Sequence, residues 1–128
     1  MFELTINGTV YQFKFGMGFL REINKTVVQT AQDNKNAKRN MGFQWLLSGV
    51  FDGDLESLVE ILLVANRTEE NRVTAKMLDT YIEDECPDVD QLFEDVLGFL
   101  RSANATKKTV AALDKMIADE KAKQEAKA

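Results

Sequence analysis

The chain has no histidine, a single cysteine (Cys86) and a single proline (Pro87) in 128 residues. Without histidine it lacks the commonest general base near neutral pH and the commonest zinc ligand. With only one cysteine, Ser-His-Asp and Cys-His chemistry and Cys/His zinc sites are excluded, and no intrachain disulfide can form. No apolar run reaches the length of a membrane-spanning helix. Acidic Glu3 stands where a signal peptide carries lysines, so the chain is expected to be soluble and not secreted.

What is present is near the globular average: 45% apolar and 29% charged residues, enough for one domain with a modest core. The net charge of −5 is unevenly spread, with +3 over residues 1–51, −11 over 52–95 and +3 from 96 onward. An acidic middle between basic ends disfavours nucleic-acid binding, because phosphates are neutralised by clustered Lys and Arg. It suits self-association through opposite charges, or a basic protein partner.

Residues 2–15 read as a hairpin. Asn7-Gly8 tolerates positive φ at both central positions of a tight turn. Phe2, Leu4 and Ile6 share one face of the first strand, and Val10 is out of phase with Tyr11, Phe13 and Phe15 on the second. Two strands alone are marginal in water, so this ribbon must lie on something.

Everything after it reads as helical. A first helix from about Gly16 carries Leu20, Ile23, Val27 and Ala31 inward and gives way to a polar, mobile loop at 32–40. Residues 41–51 form a second helix apolar on nearly all sides, broken by Asp52-Gly53. Asp54 caps a third, with Leu55, Leu58, Val59 and Leu62 as its stripe and Ile61, Leu63 and Val64 behind. Helices this broadly apolar form the centre of a core, a subunit interface, or both.

Thr74 caps a short helix with Met77, Leu78, Tyr81 and Ile82 inward, ending before Cys86-Pro87. Asp88 with Gln91 is a variant capping box opening a helix with Val89, Leu92, Phe93, Val96, Leu97 and Leu100 as its stripe. Asn104 or Thr106 marks a new start, after which Val110, Leu113 and Ile117 form a weaker stripe. The fold class is therefore mainly α: five or six helices with a small N-terminal β-hairpin. Residues 1–120 make a single helical domain, and 121–128 a flexible tail with nothing to bury.

Chemical motifs are weak. Gly16-Met17-Gly18 follows a strand, but Arg21 replaces the third glycine of a dinucleotide fingerprint, so the glycines read as a strand-to-helix corner. The acidic clusters at 52–56 and 83–90 fail the spacing of calcium loops and read as a helix break and a cap. No carboxylate pair sits in an apolar stretch that would raise its pKa for acid–base work. No catalytic residue, cofactor or metal is expected. Trp45, Phe51 and Phe99 fall off the main stripes of their helices, and either complete a wide core or form a partner or oligomer interface.

Several blocks, in order, carry a resemblance. They are Phe2-Glu-Leu-Thr-Ile-Asn-Gly8, the run from Tyr11 to Asn24, Phe51-Asp-Gly-Asp-Leu-Glu-Ser-Leu58, Asp90-Gln-Leu-Phe-Glu-Asp-Val-Leu97 and Ser102-Ala-Asn-Ala-Thr-Lys-Lys108. Together they resemble the tail assembly chaperones of long-tailed (siphovirus) phages and prophages of Gram-positive bacteria. The resemblance implies a non-enzymatic protein that binds the tape measure protein, keeps it soluble and helps the tail tube protein polymerise around it. It also implies a homo-oligomer, working in the bacterial host's cytoplasm and absent from the mature virion, with neither nucleic acid nor membrane as partner. The alternative from another class is an acidic phage protein that inhibits a host DNA-binding enzyme by DNA mimicry, with carboxylates spaced like phosphates over 52–95.

Overall fold

The computed structural model describes residues 2–28 and 41–127, with side chains described for 2–25 and 42–124. Strands β1 (Phe2–Ile6) and β2 (Thr9–Phe13) pair antiparallel, Ile6 opposite Thr9 and Phe2 opposite Phe13. The two-residue turn has φ of 50° at Asn7 and 82° at Gly8, the left-handed pair that matches strand twist. Phe2, Leu4, Ile6 and Phe13 are buried and Val10 is exposed, so the alternation read from the sequence holds.

Six helices follow among the described residues: α1 (Met17–Val28), α2 (Met41–Phe51), α3 (Leu55–Asn66), α4 (Ala75–Thr80), α5 (Val89–Ser102) and α6 (Lys107–Lys127). Helix α3 is the centre. It packs on α1, α2, α4 and β2, while α5 pairs with α6 and α6 also meets α2. Its fully buried residues include Leu58, Ile61, Leu62 and Ala65, at helical spacing. This corrects the expected stripe: Ile61 is central, and Leu55 is 39% exposed because it is the first helical residue and overhangs the body.

The hairpin is held at three points. The Lys14 N–H donates to the Ala65 carbonyl at 2.9 Å, and Asn66 Nδ2 donates to the Gln12 carbonyl at 2.9 Å. At the tip, the Asn7 N–H donates to both Glu85 carboxylate oxygens, at 2.9 and 3.2 Å. Asn66 itself is 1% exposed and also donates to the Asn71 carbonyl (2.8 Å) and accepts from the Val73 N–H (2.7 Å). A single buried amide thus joins the hairpin, the end of α3 and the loop leading to α4.

In α1, Phe19 and Ile23 are buried and Leu20 is half-buried. Phe19 was absent from the expected stripe, and it links Phe15 to Phe43 through edge-on ring contacts of 5.3 and 5.8 Å. The expectations for the Val27 side chain, Ala31 and the 32–40 loop lie outside the described residues. Helix α2 meets α1 at backbone contact: a Cβ on Gly42 would stand 2.2 Å from the Ile23 carbonyl oxygen. Beside it, Asn24 Oδ1 accepts the Phe43 N–H at 3.0 Å, supplying one of the unpaired donors in the first turn of α2.

The α2–α3 corner is a Schellman turn. Gly53 has φ 81°, its N–H donates to Val50, and the Asp54 N–H reaches back to Gly49 at 2.8 Å. Asp54 holds the N-cap position of α3 as expected, but its carboxylate accepts from the Ser57 hydroxyl (2.7 Å) instead of a backbone N–H. Thr74 caps α4 through the Met77 N–H. Asp88 caps α5 through the Gln91 N–H, yet the Gln91 amide turns forward to Asp95, so only half of the expected box forms. Helix α4 widens into a π-helical turn at Tyr81–Glu85, closed by the Cys86 N–H on the Tyr81 carbonyl at 2.8 Å. The sequence had suggested a plain helix end there.

Thr106, fully buried, turns α5 into α6 by donating its hydroxyl to the Leu100 carbonyl at 2.7 Å. Helix α6 runs on to Lys127, with residues 115–124 exposed throughout.

Candidate functional site

The corner at Gly53 and the cap at Asp88 place the end of α2 and the start of α3 against the side of α5. One ridge of α5, Leu92, Val96 and Leu100, is buried in the core. The neighbouring ridge, Val89, Phe93 and Leu97, forms one wall of a groove whose other wall is Phe51, Gly53 and Leu55. The groove has a volume of about 460 Å³ and is also lined by Arg101. A smaller recess of about 280 Å³, lined by Val59 and Ile82, shares Leu55 with it.

The rim is acidic. Glu56, Asp79 and Glu83 border the recess, and Asp90 and Glu94 the groove. Among the described residues, Arg101 is the one cation lining either. Its Nε and Nη2 each donate to Asp114 on α6 at 3.2 Å, and its guanidinium lies 5.8 Å from the Phe51 ring centroid. The hydrogen bonds to Asp114 hold its pKa above the usual arginine value, against a smaller opposing effect of burial. Tyr81, in the π turn, is also raised, first by burial and then by Cys86, Glu85 and Asp95.

The structure does not gather the three candidate aromatics. Trp45 stands on α2 and is 66% exposed. Phe51 is half-buried and belongs to the groove. Phe99 is 39% exposed on α5 and packs edge-on against Phe2, with ring centroids 5.2 Å apart, on the hairpin side. The three thus lie in different surroundings, Trp45 and Phe99 exposed and Phe51 half-buried. Leu55, whose spacing reads as core, is exposed, whereas Val59 and Ile82 pack half-buried against the core as read and also line the recess. The signal available was the second α5 ridge, which repeats every four residues and terminates in Arg101.

Among the described residues, no group of three or more His, Cys, Asp or Glu is placed to hold a metal ion. No helix among them is long and apolar enough to cross a membrane. The fold and surface define a small helical body carrying a two-stranded hairpin, with open apolar surface between helices. A family model described as phage tail assembly chaperone protein, TAC, matches residues 3–115. The chain belongs to that family. No curated protein and no solved structure matches it.

Proposed function

We propose that this chain binds the tape measure protein, keeps it soluble and assists polymerisation of the tail tube protein around it, as a homo-oligomer in the cytoplasm of the bacterial host and outside the mature virion. Membership of the tail assembly chaperone family over residues 3–115 carries the reading. The open apolar surface supports it. A long helical client exposes apolar stripes until tube subunits surround it, and a holder needs grooves that accept such stripes. Trp45, Phe51 and Phe99 lie apart, so each would contribute a separate contact, and repetition in an oligomer would multiply weak contacts.

The DNA-mimicry alternative needs carboxylates presented along a polar surface. Here Leu55, Val59, Ile82 and Phe93 are interleaved with the acids that line the grooves, which favours a partner with apolar side chains. Co-expression with the tape measure protein of the same genome tests the proposal. The soluble share of that protein should rise with this chain present, and no change would sink the reading.

A further inference from the structure

The two edges of the hairpin differ in what meets them. In a two-residue hairpin the pair flanking the turn is hydrogen-bonded. Ile6–Thr9, Leu4–Tyr11 and Phe2–Phe13 are therefore the bonded pairs, and the residues between them turn their main-chain groups outward. On the β2 side, the Gln12 carbonyl accepts from Asn66 Nδ2 and the Lys14 N–H donates to the Ala65 carbonyl, both at 2.9 Å. On the β1 side the outward row is Glu3, Thr5 and, at the turn, Asn7. The Asn7 N–H is bound by the Glu85 carboxylate at 2.9 and 3.2 Å. The N–H and C=O of Glu3 and Thr5 meet nothing among the described residues, and both residues are exposed.

Edge strands in folded proteins are guarded by lysine, proline, a bulge or a covering element. Strand β1, Phe2-Glu-Leu-Thr-Ile6, has neither lysine nor proline and pairs with β2 residue for residue, without a bulge. Its one charge, Glu3, is turned across the sheet, where it accepts from Gln12 Nε2 at 3.3 Å instead of shielding the edge. The open stretch is bounded at both ends. At the tip, Glu85 stands where the carbonyl of an added strand would accept the Asn7 N–H. At the base, a recess of about 290 Å³ is lined by Phe2, Phe13, Phe15 and Phe99.

We infer that the β1 edge takes an extended segment of the unassembled tail tube protein as a third strand. Outward N–H and C=O groups on alternate residues are matched by another extended main chain, not by a helix, whose own main-chain groups are already paired. The tape measure protein, as a helical client, would use the apolar grooves, which leaves the edge to the tube subunit. The added segment stops short of Glu85 and places an apolar side chain in the phenylalanine recess. Main-chain pairing supplies the attraction and the recess the selectivity. The inference rests on the proposed function, from which it takes the tube protein, and adds the site and the conformation in which that protein is held.

The test is amide hydrogen exchange on the full chain, alone and with the purified tail tube protein of the same genome. The Glu3 and Thr5 amides should exchange freely in the chain alone at any concentration, and at least about tenfold more slowly in the complex. Thr5→Pro removes an outward N–H that bonds to nothing within the chain, so the hairpin keeps its ladder while the edge is blocked. It should weaken tube-protein binding at least about tenfold, whereas Thr5→Val, which retains the N–H, should bind as the native chain does. Circular dichroism checks that both variants keep their fold. Protection that grows with concentration in the absence of tube protein would assign the edge to a second copy and overturn the inference. Unprotected amides in the complex, native binding by Thr5→Pro, weakened binding by Thr5→Val, or no tube-protein binding at all would overturn it as well. Solubility of the co-expressed tape measure protein judges the chaperone reading separately, so either can fail alone.

Discussion

Asn66→Ala is the substitution that most directly probes how the hairpin is joined to the helices. The amide makes three hydrogen bonds from a site that is 1% exposed: to the Gln12 carbonyl, to the Asn71 carbonyl and from the Val73 N–H. Gln12 and Asn71 are exposed residues whose carbonyls water can reach once the amide is gone. Val73 is 6% exposed, and its N–H would be orphaned in the interior. Two modest net losses plus one unsatisfied buried donor give about 2–4 kcal/mol. With an m-value of about 2 kcal/mol/M, the urea midpoint should fall by roughly 1–2 M. Asn66→Asp retains an acceptor for Val73 but sets a carboxylate oxygen against two carbonyls, so it should be at least as damaging. A loss below about 1 kcal/mol for Asn66→Ala, or native stability for Asn66→Asp, would refute the reasoning, because the donors would then be contributing little.

Two other expectations use opposite outcomes as their check. Gly42→Ala places a Cβ 2.2 Å from the Ile23 carbonyl oxygen, forcing α1 and α2 apart, so urea unfolding should show a loss of about 1–3 kcal/mol despite alanine's better helix propensity. Gly98→Ala, on the exposed face of α5 with no atom within 4 Å of its Cβ, should instead gain up to about 1 kcal/mol. The pH dependence follows from Tyr81, whose folded pKa is raised above 10.0, so the native state holds that proton more tightly than the unfolded chain. Its contribution is complete below the unfolded value and is lost as pH rises through the folded one. Alkaline urea titrations should therefore show a shallower decline in Tyr81→Phe than in the native chain.

The hairpin was legible residue by residue because its signals are local: a period of two and an Asn-Gly turn. The helices were legible as periods, but a period does not say which of two adjacent ridges is covered. Leu97 is core as read and Phe93 packs against it half-buried, yet both also line a groove with Val89, and Leu55, read as inward, is exposed. Phe19 has no distinct signal because it lies in the first turn of α1, beside the Gly16–Gly18 corner, ahead of the periodic part of the stripe. Long-range devices left no trace. Asn66 looks like a polar helix end, and its partner Gln12 is 54 residues away. Gly42 looks like a weak point in an apolar helix until α1 is seen against it. The π turn has no distinguishing spacing, yet it brings Glu85 to the hairpin tip.

The interior and the exterior of this chain follow different rules. Inside, every buried side-chain nitrogen and oxygen among the described residues has a hydrogen-bond partner, Asn66 and Thr106 included. Such a body gains little from further internal contacts. Outside, only three ion pairs form among the described residues, Glu22 with Lys25, Glu22 with Arg67 and Arg101 with Asp114. The acidic rim remains unneutralised beside an apolar groove, and Met116 and Ile117 extend past any support. Like charges held together cost stability, and exposed apolar stripes invite association. A sequence selected for monomer stability alone could relieve both with a few lysines in the rim and polar residues on α6. That neither relief is present, in a chain whose core is so fully satisfied, is the physical case for surfaces that are completed by another chain.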